Sequence, residues 1–369
     1  MKIGNRTLTQ DYCFIIAEAG VNHNGDLKLA KKLVQRAAEA KADCVKFQTF
    51  KTSELVSENA PKAKYQNDTT DPTESQADML RKLELSEQDF IELKKECDRH
   101  NIMFMSTPFD IQSANLLNRI GVDAFKIPSS EVTNIPFIKY LAGFKKPLLI
   151  STGMCTIGDV DRLYQELVKL KASFCFLHCV SEYPSPIKDT NLRAMHTMRN
   201  AFGVPVGYSD HTKGIHIPVA AAALGAQILE KHFTLDRDME GPDHRASIEP
   251  QELKDMVRQV RHTCVALGNG IKNPSPIEVE NSKASRKSLV ATKDLKAGDR
   301  IGYDNLIAKR PGTGIPPYMF DDVNCMRLTK GLKKDEVLTI SHLHDNLTLT
   351  EEKEYAKRSK AKARDRKGS

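Results

Sequence analysis

Eight short apolar runs along this chain each end in a residue able to do chemistry. They are CFIIAE ending at Glu18, CVKFQ around Lys46, MFMSTP at Thr107 and AFKIPSS around Lys126, then PLLIST at Ser151, FCFLHC at His178 and Cys179, PVGYSDH at Ser209 to His211, and ILEKHFT at Lys231 and His232. Segments with a helical period fill the gaps. In DLKLAKKLVQRAAEAKA (26–42), Leu27, Ala30, Leu33, Val34, Ala37 and Ala38 share one face, with Asp26 placed to cap the helix. SEQDFIELKKECDRHN (86–101), DVDRLYQELVKLK (159–171) and GIHIPVAAAALG (214–225) continue the alternation, with Pro218 in the first turn of its helix. Strand–helix repetition of this kind predicts a parallel α/β fold. Eight functional strand ends in succession favour a (β/α)8 TIM barrel, whose chemistry collects at the carboxyl ends of its strands. A doubly wound open sheet competes, but it would place its chemistry at one switch point, and no early GxGxxG or P-loop is present.

The length of 369 residues accommodates a barrel of roughly 250 residues and a smaller domain. The barrel is expected over 1–270. Residues 271–286 carry two prolines and no periodic apolar face, and so read as a linker. Short β-like runs punctuated by AGD, PGTG and KKDE mark a small β-rich domain over 287–346, and 347–369 reads as a basic, disordered tail. The net charge of +7 is mostly local. Residues 353–369 hold eight Lys/Arg against two Asp/Glu, a surplus of +6, so the remainder is near +1. Such a tail is a solvated end rather than a nucleic-acid site, and neither a nucleic acid nor a membrane is expected as partner. The amino-terminal MKIGNRTLTQDY has no apolar signal region, no run is long enough to span a bilayer, and the eight cysteines form no CxxC pair. The expectation is a cytoplasmic protein with free thiols.

His211 and His232 end neighbouring strands, so in a barrel both imidazoles face one mouth. Two neutral imidazoles suit a divalent ion such as Mn, Fe, Co or Zn and leave coordination positions open. The competing reading is two hydrogen-bonded structural histidines. Lys46 and Lys126 lie inside apolar runs, where an ammonium must be paired, either with a carboxylate or with an anionic substrate. Ser106, Thr107, Ser129, Ser130, Ser151, Thr152 and Ser209 offer hydroxyl donors around them. A cradle for a phosphate and a carboxylate is one reading, a Schiff-base lysine a second, and structural ion pairs a third. Glu18 is a general acid/base, a metal ligand or a lysine partner. Asn22, His23 and Asn24 fit local turn chemistry. Asp243 stands in a loop able to cover the mouth, Glu230 pairs with a lysine or supports His232, and Arg310 reads as an ordinary exposed arginine.

Together IIAEAGVNHNGD, VKFQTF, FMSTPFD, FKIPSSE, ISTGM, LHCVSEYPSP, GYSDHT and LEKHFTLDRDMEGPDH resemble the sialic acid synthase family, in its order. RKSLVATKDLKAGDRIGYDNLIAKRPGTGI resembles that family's C-terminal antifreeze-like (SAF) domain. The resemblance spans about residues 2–345. It implies a TIM barrel that condenses phosphoenolpyruvate with an N-acetylmannosamine-type aldehyde, giving a nine-carbon 2-keto acid and phosphate. By the same resemblance, His211 and His232 hold a divalent metal, Mn2+ first, with Mg2+ or Co2+ as alternatives. Lys46, Thr107, Lys126, Ser129, Ser151, Ser181, Tyr183 and Ser209 surround phosphoenolpyruvate. Glu18 is the catalytic carboxylate, and Gln48, Tyr183 and Asp243 lie near the sugar. Arg310 is the arginine that one subunit inserts into its partner's barrel in a domain-swapped homodimer. Two positions depart from the family pattern: Ser181, where some bacterial members have Asn, and Ser130, where a glycine is usual. The rivals are a Schiff-base (class I) aldolase acting through Lys126 and a non-enzymatic carbohydrate-binding protein. The acceptor is either N-acetylmannosamine or a 2,4-diacetamido-6-deoxy sugar.

Overall fold

The computed structural model describes residues 1–9, 11–67 and 69–343. The basic tail and the last three residues expected in the small domain lie outside the described residues. The chain folds as two compact units, Met1–Gly270 and a second from Ile271 onward.

In the first unit, eight parallel strands alternate with eight helices. The strands are β1 (Phe14–Gly20), β2 (Cys44–Thr49), β3 (Met103–Pro108), β4 (Phe125–Ile127), β5 (Leu148–Ser151), β6 (Phe174–Cys179), β7 (Val206–Asp210) and β8 (Ile228–His232). Their order is β3-β2-β1-β8-β7-β6-β5-β4, so the last strand pairs with the first and the ring is nearly closed. The helices are α1 (Leu27–Glu39), α2 (Glu87–Arg99), α3 (Ile111–Ile120), α4 (Ile135–Gly143), α5 (Ile157–Lys169), α6 (Ala194–Phe202), α7 (His216–Ala223) and α8 (Pro250–Leu267). Local chemistry sets their starts. Asp26 accepts from the Lys28 amide, and Ser86 and Thr156 form reciprocal capping boxes with Asp89 and Asp159. Asn101, just past α2, takes the left-handed conformation that ends it.

The strand period of two sorts side chains into two cores. Phe14, Ile16, Cys44, Met105, Leu149, Cys175, Leu177 and Ile228 fill the barrel, and Ile3 and Leu8 of an amino-terminal hairpin join them. Ile15, Val45, Phe104, Ile150, Phe176, Tyr208 and Leu229 point the other way, to the helices. Two strand-end expectations are corrected by this alternation. Lys231 faces the helix layer, fully buried, with its Nζ 2.5 Å from Asp210 Oδ2 and donating also to the Thr212 carbonyl. His178 points outward too, its Nε2 2.8 Å from the Thr190 carbonyl oxygen. Ser106 bonds Thr49 at 2.7 Å and Thr152 bonds the Leu177 carbonyl at 3.1 Å, so neither joins the hydroxyls of the mouth.

The second unit has a core of Leu289, Ala291, Ile301, Leu306, Leu332 and Leu338 around an antiparallel pair, β9 (Ser288–Ala291) and β10 (Leu306–Lys309). The stretch read as a linker contains a helix, α9 (Pro276–Ser285), started by a Ser275–Glu278 capping box. The Gly312 amide donates to the Lys283 carbonyl at 2.7 Å and ties α9 to this unit. Its signal was a cap without an apolar stripe, since no residue of α9 is buried. No helix among the described residues is long and apolar enough to cross a membrane.

The Lys231–Asp210 pair yields a stability prediction. Lys231→Ala leaves a carboxylate buried without its cation and should cost about 3–5 kcal/mol. A Lys231→Met, Asp210→Leu double variant should recover most of that loss. Chemical denaturation of the full chain checks this, and equal midpoints for wild type and Lys231→Ala would refute it.

Candidate active site

The inward residue at the carboxyl end of each strand opens into one cavity of about 260 Å³. Glu18, Lys46, Gln48, Thr107, Lys126, Ser129, Ser151, Ser181, Tyr183, Ser209, His211, His232 and Asp243 all line it, together with Ser130 and Glu230. Arg310 is in the second unit, where it is exposed and its Nε donates to the Ser285 carbonyl at 3.1 Å.

Two buried lysine–glutamate pairs dominate the electrostatics. Lys46 Nζ lies 2.7 Å from Glu18 Oε2 and donates to Thr107 Oγ1 at 2.9 Å. Lys126 Nζ donates to Ser151 Oγ at 2.7 Å and lies 3.5 Å from Glu230 Oε1, which also accepts from Ser209 Oγ at 3.1 Å. All four charged side chains are at most 5% exposed. Burial pushes the Glu18 carboxyl up to about 7, against the pull of Lys46. Burial also works against the Lys46 ammonium, but Glu18 and Glu230 outweigh it and raise its pKa. For Lys126 burial prevails over Glu230 and the pKa falls. Glu230 is therefore the lysine partner, one of the two roles its sequence position allowed.

His211 Nδ1 is 2.7 Å from the Val180 carbonyl, which can only accept. That nitrogen carries the proton, and the Nε2 lone pair is left for another partner. The His232 ring lies 5.4 Å from it, centroid to centroid. His232 Nδ1 is buried without a hydrogen-bond partner, 3.7 Å from Asp243 Oδ2. Burial and the neighbouring cationic groups hold His232 well below the usual histidine range, hence neutral. Burial likewise lifts the Asp243 carboxyl to about 6. Burial works against a charged His211, but Cys179 and the Val180 carbonyl outweigh it and raise its pKa. The donor set still fits a divalent ion, with two imidazoles beside a carboxylate, and an ion bound at His211 would displace a proton there. Among the described residues no preformed cluster of three or more acidic, histidine or cysteine side chains stands ready for a metal, so exogenous ligands would fill several positions.

Tyr183 stacks over His211 at 4.0 Å and Tyr65 over Tyr183 at 5.1 Å. Tyr65 lies in the long β2–α2 connection, whose three short helices give no sustained period, and sequence reasoning missed it. Cys179 also enters the pocket, the inward neighbour of the outward His178. Gly153 explains how Ser181 fits: a Cβ there would lie 2.2 Å from Ser181 Oγ and 2.9 Å from Ser129 Oγ. The Gly153 amide instead donates to Ser129 Oγ at 2.9 Å.

The histidine pair sets a ligand prediction. Mn2+ at a hundredfold excess over its Kd should stabilise the protein by about 2.7 kcal/mol, seen as a higher thermal midpoint. His211→Ala and His232→Ala should each abolish that rise. An undiminished rise in both variants would place the ion elsewhere.

The NeuB family model matches residues 33–272, and the SAF domain model matches residues 286–344. The chain is 49% identical over 327 residues to the N,N'-diacetyllegionaminic acid synthase of Campylobacter jejuni, covering 88% of this chain and 98% of that one. It is 38% identical to the N-acetylneuraminate-9-phosphate synthase of Homo sapiens, covering 91% and 94% respectively. Among solved structures, the N-acetylneuraminic acid (sialic acid) synthetase of Leptospira borgpetersenii matches with a TM-score of 0.68 and 35% identity, over 76% of this chain and 94% of that one. The chain is a member of the NeuB family, a TIM barrel with a C-terminal SAF domain.

Proposed function

We propose that this protein is a nonulosonic (sialic) acid synthase. It condenses phosphoenolpyruvate with the open-chain aldehyde of an N-acetylmannosamine-type sugar, giving a nine-carbon 2-keto acid and phosphate. The observation that carries this reading is one cavity holding two glutamate-matched lysines, a set of hydroxyls and a pair of metal-competent histidines. The synthases among its relatives support it. The relative of 49% identity favours a 2,4-diacetamido-6-deoxy sugar over N-acetylmannosamine as acceptor.

In this reading Lys46 and Lys126 turn from their glutamates to the phosphate and carboxylate of phosphoenolpyruvate, with Thr107, Ser129, Ser151, Ser181 and Ser209 donating hydrogen bonds. Gln48, Tyr183 and Asp243 orient the sugar so that its aldehyde carbon meets the phosphoenolpyruvate methylene in near-attack geometry. His211 and His232 would hold a divalent ion, Mn2+ by preference, which would supply Lewis-acid polarisation at the aldehyde. The new carbon–carbon bond leaves positive charge on the phosphate-bearing carbon. Water adds there and Glu18 takes its proton, which passes to the oxygen of the former aldehyde to complete the new hydroxyl; phosphate then leaves by C–O cleavage with the remaining proton as the 2-keto group forms. A carboxyl poised near neutrality suits that transfer. Eight unpaired thiols support a reducing cytoplasm as its compartment.

Release of inorganic phosphate from phosphoenolpyruvate, dependent on both sugar and metal, tests the function directly. A class I aldolase would instead ignore EDTA and trap pyruvate with borohydride on Lys126. Because the Glu18 pKa is raised, its basic form is lost as pH falls through about 7. The kcat/KM profile should fall on the acid side of that value, and Glu18→Gln should lose this limb along with about 10²–10⁴-fold in rate. An unchanged profile in Glu18→Gln would exclude the role.

Arg310 completes the proposal as a residue delivered to the partner's barrel in a swapped homodimer. Arg310→Ala and His211→Ala should each be inactive alone. Mixed and re-equilibrated, half the dimers are hybrids with one intact site of two, so about a quarter of wild-type activity should return. No recovery from fully exchanged subunits would place Arg310 outside the site.

A further inference from the structure

Part of the cavity lining comes from outside the strand ends and is apolar. Val21, Met79, Leu80, Leu83 and Phe109 line the space. Val21, Phe50 and Leu83, with Leu55, Leu80 and Phe109 packed on them, form a hydrophobic cluster separate from both barrel cores. Much of it belongs to residues 50–86, the connection between β2 and α2. The Lys51 amide donates to Asp110 Oδ2 at 2.9 Å, and the Thr52 amide donates to Glu84 Oε1 at 2.6 Å, which brings the two ends of the segment together. Inside it, the buried Lys62 side chain donates to Thr70 Oγ1 at 3.0 Å.

The Tyr65–Tyr183–His211 stack joins this wall to the histidine pair, the side of the cavity assigned to the sugar. Among the described lining residues the lysines and arginines are Lys46 and Lys126 alone, each matched to a glutamate. A phosphate set against the wall would shed its water against apolar side chains, with both lysines of this barrel already matched to glutamates, and only an arginine delivered from a partner could offset that cost. A methyl group there gains apolar contact instead.

Resting on the synthase reading above, we infer that the apolar wall, built by the β2–α2 connection together with Phe109, is the selectivity element for the acceptor. Met79, Leu80, Leu83 and Phe109 receive the terminal methyl group of a 6-deoxy amino sugar and exclude a phosphate at that carbon. The wall distinguishes acceptors at one carbon far from the reacting aldehyde. Its effect falls on sugar affinity and leaves the handling of phosphoenolpyruvate to the lysines.

Phosphate release by the full-length protein with phosphoenolpyruvate and Mn2+ tests this. The acceptors are N-acetylmannosamine, its 6-deoxy analogue, its 6-phosphate, and a 2,4-diacetamido-6-deoxy sugar. Wild type should prefer the 6-deoxy analogue to N-acetylmannosamine by about ten- to a hundredfold in kcat/KM, with no turnover of the 6-phosphate. Leu80→Ala should cut that preference about tenfold, through the KM of the 6-deoxy acceptor, while the KM for phosphoenolpyruvate stays unchanged. Leu80→Met should restore it, which separates loss of the wall from general damage. An unchanged KM for every 6-deoxy acceptor in Leu80→Ala, or wild-type preference for the 6-phosphate, overturns the assignment. Phosphate release with none of the four sugars overturns the synthase reading itself, and this assignment with it.

Discussion

Two ammonium groups and two carboxylates are buried at the mouth of this barrel, and the rest of the site is arranged around their balance. An unmatched charge at that depth would be too costly for the fold to carry, so each lysine has a glutamate: Glu18 for Lys46 and Glu230 for Lys126. The pairs compensate each buried charge before any ligand arrives. In the proposed reaction they also hold cations ready for an entering anion, and the hydroxyls of Thr107, Ser151 and Ser209 are already hydrogen-bonded within these pairs. In the proposed reaction, charge compensation and preorganisation come from the same contacts.

The division of labour within the cavity follows from which elements build it. Strands β2, β4 and β5 contribute the cationic side, on rigid backbone that the barrel fixes. The ends of β7 and β8 contribute the imidazoles, with the Val180 carbonyl choosing the tautomer of His211. The apolar wall comes from a connection between strand and helix. That is the kind of segment that can change without disturbing the barrel, and so the natural place for differences in acceptor.

Much of this was legible in the sequence because a barrel strand announces itself twice, by its apolar run and by the polar residue that ends it. Glu18, Lys46, Lys126, His211 and His232 could be read that way, and the cavity brings them together. What could not be read was the register. In HCV the pocket takes Cys179 and not His178; in EKH it takes Glu230 and His232 and not Lys231. Adjacent polar residues differ only in parity, and parity depends on hydrogen-bond pairing with strands far away in sequence. Residues 50–86 stayed obscure for another reason: their helices are too short to show a period, and their apolar residues serve a small local cluster. Helix α9 was missed because it buries nothing, so only its cap distinguishes it from a linker.

The outward ion pair of Lys231 with Asp210 carries a consequence for the histidines on either side of it. Lys231 precedes His232 and Asp210 precedes His211, so the pair clamps β7 and β8 to each other immediately below both imidazoles. A strand slipped by one residue would thrust an ammonium into the mouth and a histidine into the helix layer. The pair thus acts as a keyway: it admits a single alignment of the two strands, and in that alignment both rings point into the same space.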